Sequence, residues 1–200
     1  MTNPHFYALQ VCGLLPPGIT SADDKAPIAK WQEAHGLVAD GSIGPATADA
    51  MHLAASPNGS TLHFTLDEYR DGLAIPAACL PNVRRTLRQI EVRRLIIFGD
   101  VPCVIVCGLR DPGKPRTSGQ AKHSQHYPFG EDGKTPLCRA ADMSPATRGT
   151  GTPYQQWRSL TLAAMKDGRL EPGGFNTYTD QAAHGEFQHG DWRGYIVDGW

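Results

Sequence analysis

The run Ser56-Pro57-Asn58-Gly59-Ser60 constrains this chain more than any other feature. Its five residues favour turns over helix or strand and split the sequence in two. Residues 1–56 then form one unit, 57–62 a linker and 63–200 a second unit. The first lies near the lower size limit for a core of its own and the second well above it, so two small cores are expected. Hydrophobic residues make up 40% of the chain and charged residues 20%, which suits soluble globular units. The net charge of −1 gives no electrostatic reason to expect nucleic acid or an anionic membrane as partner. No stretch reaches the length needed to span a bilayer, and the start, Met-Thr-Asn-Pro-His-Phe-Tyr, lacks the basic and apolar segments of a signal peptide. Synthesis in a reducing cytoplasm and a monomeric state are the expectations.

Five cysteines, Cys12, Cys79, Cys103, Cys107 and Cys138, are an odd number without paired spacing. Cys103 and Cys107 sit in the apolar run Val101–Cys107, read as a strand buried on both faces. There they would stand roughly 13 Å apart, beyond disulfide reach, as buried thiols.

Residues 5 to 55 read as three short helices: Phe6 to Leu14, Ala26 to His35 closed by Gly36, and a third launched by Gly44-Pro45. In the second unit, Thr65 and Glu68 have capping-box spacing. Leu80, Val83, Leu87 and Ile90 share a helix face, a further helix spans about Pro153 to Lys166, and a last strand is expected near Phe187 to Tyr195. The fold class is therefore α+β.

Four of the eight histidines fall in two clusters, Lys122-His123-Ser124-Gln125-His126 and His184-Gly185-Glu186-Phe187-Gln188-His189-Gly190-Asp191, each with acidic residues nearby. Two imidazoles and a carboxylate make a metal donor set that leaves a position for water, and such a water needs a base that is not itself a ligand.

Two resemblances sharpen this reading. Trp31, Gln32, Gly36, Leu37, Asp40, Gly41, Ile43, Gly44, Pro45 and Thr47 match the pattern of the peptidoglycan-binding domain of bacterial and phage wall hydrolases. Trp31 is then either part of a miniature core with Ile28, Leu37 and Ile43 or, with Gln32, in contact with the wall polymer. Beyond it, Gly108-Leu-Arg-Asp-Pro112, Ala121-Lys-His-Ser-Gln-His126, Arg139-Ala-Ala-Asp-Met143, Gly173-Gly174 and Phe187-Gln-His-Gly-Asp191 resemble the ordered motifs of the zinc D-alanyl-D-alanine carboxypeptidase family. That family includes the L-alanyl-D-glutamate endopeptidases of phage endolysins.

This resemblance implies a small antiparallel sheet carrying Zn2+ on His126, Asp142 and His189, with Glu186 as base and Arg110 holding a carbonyl oxygen or a substrate carboxylate. His123, Ser124, Gln125, His184 and Asp191 would line the substrate. Asp191 alternates onto the face of His189 and could orient its ring, whereas Glu186, three residues away, must sit in a turn that Gly185 permits. The 16 positions from His126 to Asp142 exceed the family's usual spacing and read as an inserted loop over residues 128–138, whose Glu131 and Asp132 are the alternative carboxylates. Arg84, Arg85, Arg88, Arg93 and Arg94 read as a solvated helix face, or as a surface steering the wall polymer. The implied protein is an endolysin-type peptidase of the peptidoglycan stem. A D-alanine carboxypeptidase and an inactive wall-binding structural protein are the alternatives.

Overall fold

The computed structural model describes residues 2–111, 113, 124–130, 132–179 and 186–198. Among them the protein is α+β, with six α-helices and a small sheet. The helices are α1 (Pro4–Val11), α2 (Lys25–Ala34), α3 (Pro45–Ala55), α4 (Leu66–Arg70), α5 (Leu80–Ile96) and α6 (Tyr154–Lys166). The strands are β1 (Cys103–Cys107), β2 (Ala140–Pro145), β3 (Gly174–Thr179), β4 (Glu186–Asp191) and β5 (Val197–Asp198). They lie in the order β1-β2-β4-β3-β5, the first four antiparallel and β5 parallel to β3. No helix among the described residues is long and apolar enough to cross a membrane.

Local chemistry sets the helix ends. The Asn3 side chain accepts from the His5 and Phe6 amides and Pro4 takes the first turn, so α1 begins earlier than its apolar pattern suggests. Thr65 and Glu68 close the expected capping box, with the Glu68 amide donating to Thr65 Oγ1 at 3.1 Å and the Thr65 amide to Glu68 Oε2 at 2.7 Å. In the first helices Phe6, Leu9, Ile28, Ile43 and Met51 form a small core, with Trp31 half-buried at its edge. Gln32 is buried inside it. Its amide nitrogen reaches Asp40, Ser42 and Thr47 while its oxygen accepts from the Gly41 amide, so Gln32 ties the Asp40-Gly41 turn to α3 and presents no surface to a polymer.

The arginine-rich helix differs most from its sequence reading. Arg84, Arg88 and Arg93 are buried, and α1 and α3 pack against α5. Arg84 donates to both Asp49 oxygens, at 2.7 and 2.5 Å, Arg88 lies 2.8 Å from His52 Nδ1, and Arg94 meets Glu91 and Asp100. A charged run at helical spacing looks the same whether its partners are water or carboxylates far along the chain, and here carboxylates supply the pairing. Residues of the expected linker are packed as well: Ser60 O lies 3.0 Å from His52 Nε2, and Gly59 sits against Leu66 and Arg84.

Glu171 joins three segments. It meets Arg85 of α5, His5 of α1 at 3.3 Å, and the Gln89 side-chain amide at 3.2 Å. Burial alone would raise its pKa, but His5 and Arg85 outweigh burial and hold it down to about 2. A carboxylate depressed in the folded state stabilises fully above its unfolded pKa and loses that stability as pH falls through the folded one. Glu171 therefore contributes up to about 3 kcal/mol at neutral pH, fading between about pH 4.5 and 2. Urea unfolding at pH 6 and pH 3 should show this loss, and Glu171→Gln should shrink the difference between the two. An unchanged difference would mean that other carboxylates drive the acid transition.

The main core joins Val83, Leu87 and Ile90 of α5 to Met143, Phe175, Trp157 and Phe98. The run ending at Cys107 is the sheet's edge, not a strand buried on both faces: Val104 is 46% exposed, and within β1 Cys103 and Ile105 are the residues that pack on the core. A short apolar run does not encode its place in a sheet, and here the second face forms the floor of a cleft.

Candidate metal centre

Strand register builds the site. Cross-strand pairing aligns Cys107 of β1, Asp142 of β2, His189 of β4 and Asn176 of β3 in one row. Residues paired this way share a face. The row looks away from α6 and α5, because the intervening residues Gln188 and Gly190 face Thr161 and Arg93. Cys107 joins it through a register shift after Ile105. Without that bulge it would share the inward face of Cys103 and Ile105.

His126 enters from the loop above the row. Its Nδ1 lies 2.7 Å from the Gly108 carbonyl oxygen, which can only accept, so Nδ1 carries the proton and Nε2 is left for an ion. The Arg110 amide donates to the His126 carbonyl at 3.0 Å and fixes the loop against the end of β1. The long spacing from His126 to Asp142 is closed by a hairpin. Leu137 N donates to Pro128 O, Cys138 N to Tyr127 O and Arg139 N to Gln125 O, at 2.8–3.0 Å, so the insertion leaves and returns beside the site. Asp132 is spent on its own turn at the exposed end of this hairpin, accepting from Lys134 and Thr135, and does not reach the other donors.

His126 Nε2, His189 Nδ1 and Asp142 Oδ1 form a triangle with sides of 3.1, 2.8 and 3.3 Å. A tetrahedral zinc with bonds of about 2.0–2.1 Å holds its donors about 3.3 Å apart, so the three atoms already stand close to zinc spacing. An overlapping set of Cys107, His126 and Asp142 also converges, its ligand atoms within 4.8 Å of one another. All three members of the tighter triangle are buried.

Charge agrees with geometry. Burial opposes ionisation of Asp142, but His126 and His189 outweigh it and hold the carboxyl far below the usual range. Burial likewise opposes the His126 imidazolium, and Asp142 with Cys107 overrides it, pushing the pKa up to about 10. A divalent cation would replace those protons as the partner of the buried carboxylate. His189 Nε2 lies 3.5 Å from Asp191 Oδ2. Asp191 is itself fixed by the Gly174 amide at 2.7 Å and by Arg193; burial would raise its pKa, but His189 and Arg193 hold it down to about 2.

Arg110 Nη2 stands 4.0 Å from Asp142 Oδ2, beside the triangle. Glu186 does not lie in a turn. It opens β4 and pairs with Thr179, so regular alternation turns its side chain to the face opposite His189. It lines a cleft of about 500 Å3 with Val104, Val106, Ser144, Tyr154 and Trp157. Ser124 serves the turn before His126, its Oγ 3.4 Å from the His126 amide, and the Gln125 carbonyl accepts from Arg139. His123, His184 and Glu131 lie outside the described residues.

The sequence reading overlooked Cys107 and Arg93. The Arg93 guanidinium packs on Gly190, where a Cβ would fall 1.9 Å from it, and its charge acts on Asp191 and Asp142 across the strand. Its position three residues after Ile90, on the apolar face of α5, was the available signal. A bulge has no comparable sequence mark, so Cys107 had none.

No protein-family model matches the chain. It is 27% identical over 160 residues to a zinc D-Ala-D-Ala carboxypeptidase from Streptomyces albus G, a match covering 73% of this chain and 62% of that protein. The chain thus spans less than two thirds of the relative's length. This distant homology supports a zinc peptidase, in agreement with the donor triangle.

Proposed function

We propose that this protein hydrolyses an amide bond in the peptide stems of bacterial peptidoglycan, using zinc held by His126, Asp142 and His189. The observation that carries the proposal is the triangle of three buried donors at zinc spacing. A bound zinc would supply a Lewis acid and a water acidified to a pKa of about 7. The protein's part is to orient both imidazoles, through Gly108 O and Asp191, and to aim the Arg110 guanidinium at substrate oxygen. The cleft beside the site gives room for a peptide, which favours an endopeptidase. The three N-terminal helices would hold the wall, a reading supported by their resemblance to wall-binding domains and by half-buried Trp31 stacked on His35.

Within this proposal Glu186 carries the proton. Among the described residues lining the cleft it is the one carboxylate, and it lies three residues from His189. Because it faces the other side of the strand, the role requires a bridging water or a local shift at the start of β4. Glu186→Gln is expected to lower kcat about 10²–10⁴-fold with zinc content unchanged. Full activity would remove Glu186 from the reaction.

A carboxypeptidase is the second reading. The relative's name and the placement of Arg110, suited to a terminal carboxylate, favour it. Mass spectrometry of digested sacculi and muropeptides, with and without chelator, tests both. Chelator-sensitive release of stem fragments supports the endopeptidase, and loss of a single D-alanine supports the carboxypeptidase. No new amino groups under either condition would sink the proposal.

A further inference from the structure

We propose that Arg148 is a specificity-determining residue that binds a free carboxylate of the substrate peptide, close to the bond that is cut. This role rests on the peptide hydrolysis proposed above.

Three observations carry this. First, the cleft opens from the sheet face that holds the donors. Ser144 lies two residues beyond Asp142 and pairs with Val104, so both side chains share the face of Asp142, about 7 Å further along the strands. Phe187, two residues before His189, shares that face too, with Tyr178 stacked on it at 4.8 Å between ring centroids. Val104 and Ser144 line the cleft of about 500 Å3, and Arg148 lines it from the loop after β2. An extended peptide rises about 3.3 Å per residue, so one whose scissile bond sits at the triangle carries its next one or two residues over this row.

Second, the loop that carries Arg148 is fixed. Ala146 N donates to Pro102 O at 2.8 Å and Thr152 N to Phe98 O at 3.0 Å, which ties both ends to the segment leading into β1. Between them Thr150 N and Thr150 Oγ1 donate to Thr147 O, closing a turn with Arg148 inside it. Third, Arg70, Arg84, Arg85, Arg94, Arg169 and Arg193 each hold a carboxylate. Among the described residues Arg148 holds none, although Glu186 lines the same cleft. The Ser144 hydroxyl is already committed to Glu186 O at 2.7 Å. Arg148 is thus the cation of this cleft among the described residues. A guanidinium matches a carboxylate through two parallel hydrogen bonds, whereas a carboxamide offers it one acceptor oxygen and no charge.

Two synthetic stem peptides test this, alike except that the interior glutamate carboxylate is free in one and amidated in the other, with the terminal carboxylate free in both. The zinc-loaded whole protein is expected to cut the free form with a kcat/KM at least about 10-fold higher, the difference lying in KM. Calorimetric titration of the whole protein with zinc removed by chelator, so that nothing is cut, should show the same preference in Kd. Arg148→Ala should lose the preference, its KM for the free form rising to that for the amidated form, and Arg148→Lys should keep part of it. Equal cutting of the two peptides by the wild-type protein, or a preference that survives in Arg148→Ala, would overturn the role of Arg148 and leave the hydrolysis standing. Neither peptide cut, with the binding preference intact, would remove the hydrolysis and keep the carboxylate site. Neither cut and neither bound would sink both.

Discussion

Asp142→Asn is expected to empty the metal centre. The substitution keeps the shape of the side chain and removes the one anion between two imidazoles, with Arg110 at 4.0 Å and the buried Arg93 behind the sheet. Without that anion the Arg110 guanidinium meets an incoming dication with no carboxylate between them, while Arg93 keeps Asp191 as its counter-charge. Removing one partner from a buried charge cluster costs about 3–5 kcal/mol, or two to four orders of magnitude in zinc affinity. Zinc content after gel filtration and calorimetric titration would measure the loss, with near-ultraviolet circular dichroism as the check on folding. A variant that retains a full equivalent of zinc would take Asp142 out of the donor set.

The second large effect is expected from Gly173→Ala. A Cβ at Gly173 would sit 1.8 Å from the Asp191 carbonyl oxygen and 2.9 Å from Trp192 Cα, both backbone atoms with no rotamer to yield. Relief requires parting the start of β3 from the end of β4, where Asp191 receives the Gly174 amide. Trp192, between the Arg85 and Arg139 guanidinium groups, would move with it. Overpacking usually costs about 1–3 kcal/mol, and with backbone on both sides of the clash at least about 3 kcal/mol is expected here. Urea denaturation would read the loss of stability, and zinc affinity should fall in the same variant because Asp191 orients His189. A fully stable variant would show that the contact of β3 with β4 is looser than described.

The parts of this molecule legible in its sequence follow local rules. Thr65 and Glu68 announce their capping box because both partners lie within four residues, and Gly44-Pro45 launches α3 for the same reason. The proposed donors His126, Asp142 and His189 were singled out by the order of their motifs, since nothing in their spacing reveals that a hairpin closes the gap between the first two. What escaped depends on register and distant partners. Cys107 looks inward in any regular strand, and one extra residue turns it outward. Glu186 seemed to need a turn, whereas its pairing with Thr179 continues β4 through it. The arginines of α5 looked solvated because Asp49 and Glu171, which neutralise them, lie tens of residues away.

The hairpin between Tyr127 and Cys138 has a practical consequence. Backbone bonds seal its stem next to the donors, so the length and composition of its tip are uncoupled from their spacing. A peptide tag or a reporter loop spliced in near Asp132–Thr135 would ride at the far end of the hairpin and leave the triangle of His126, Asp142 and His189 undisturbed. The same seam offers a place to exchange tips between related proteins without resetting the distance from His126 to Asp142.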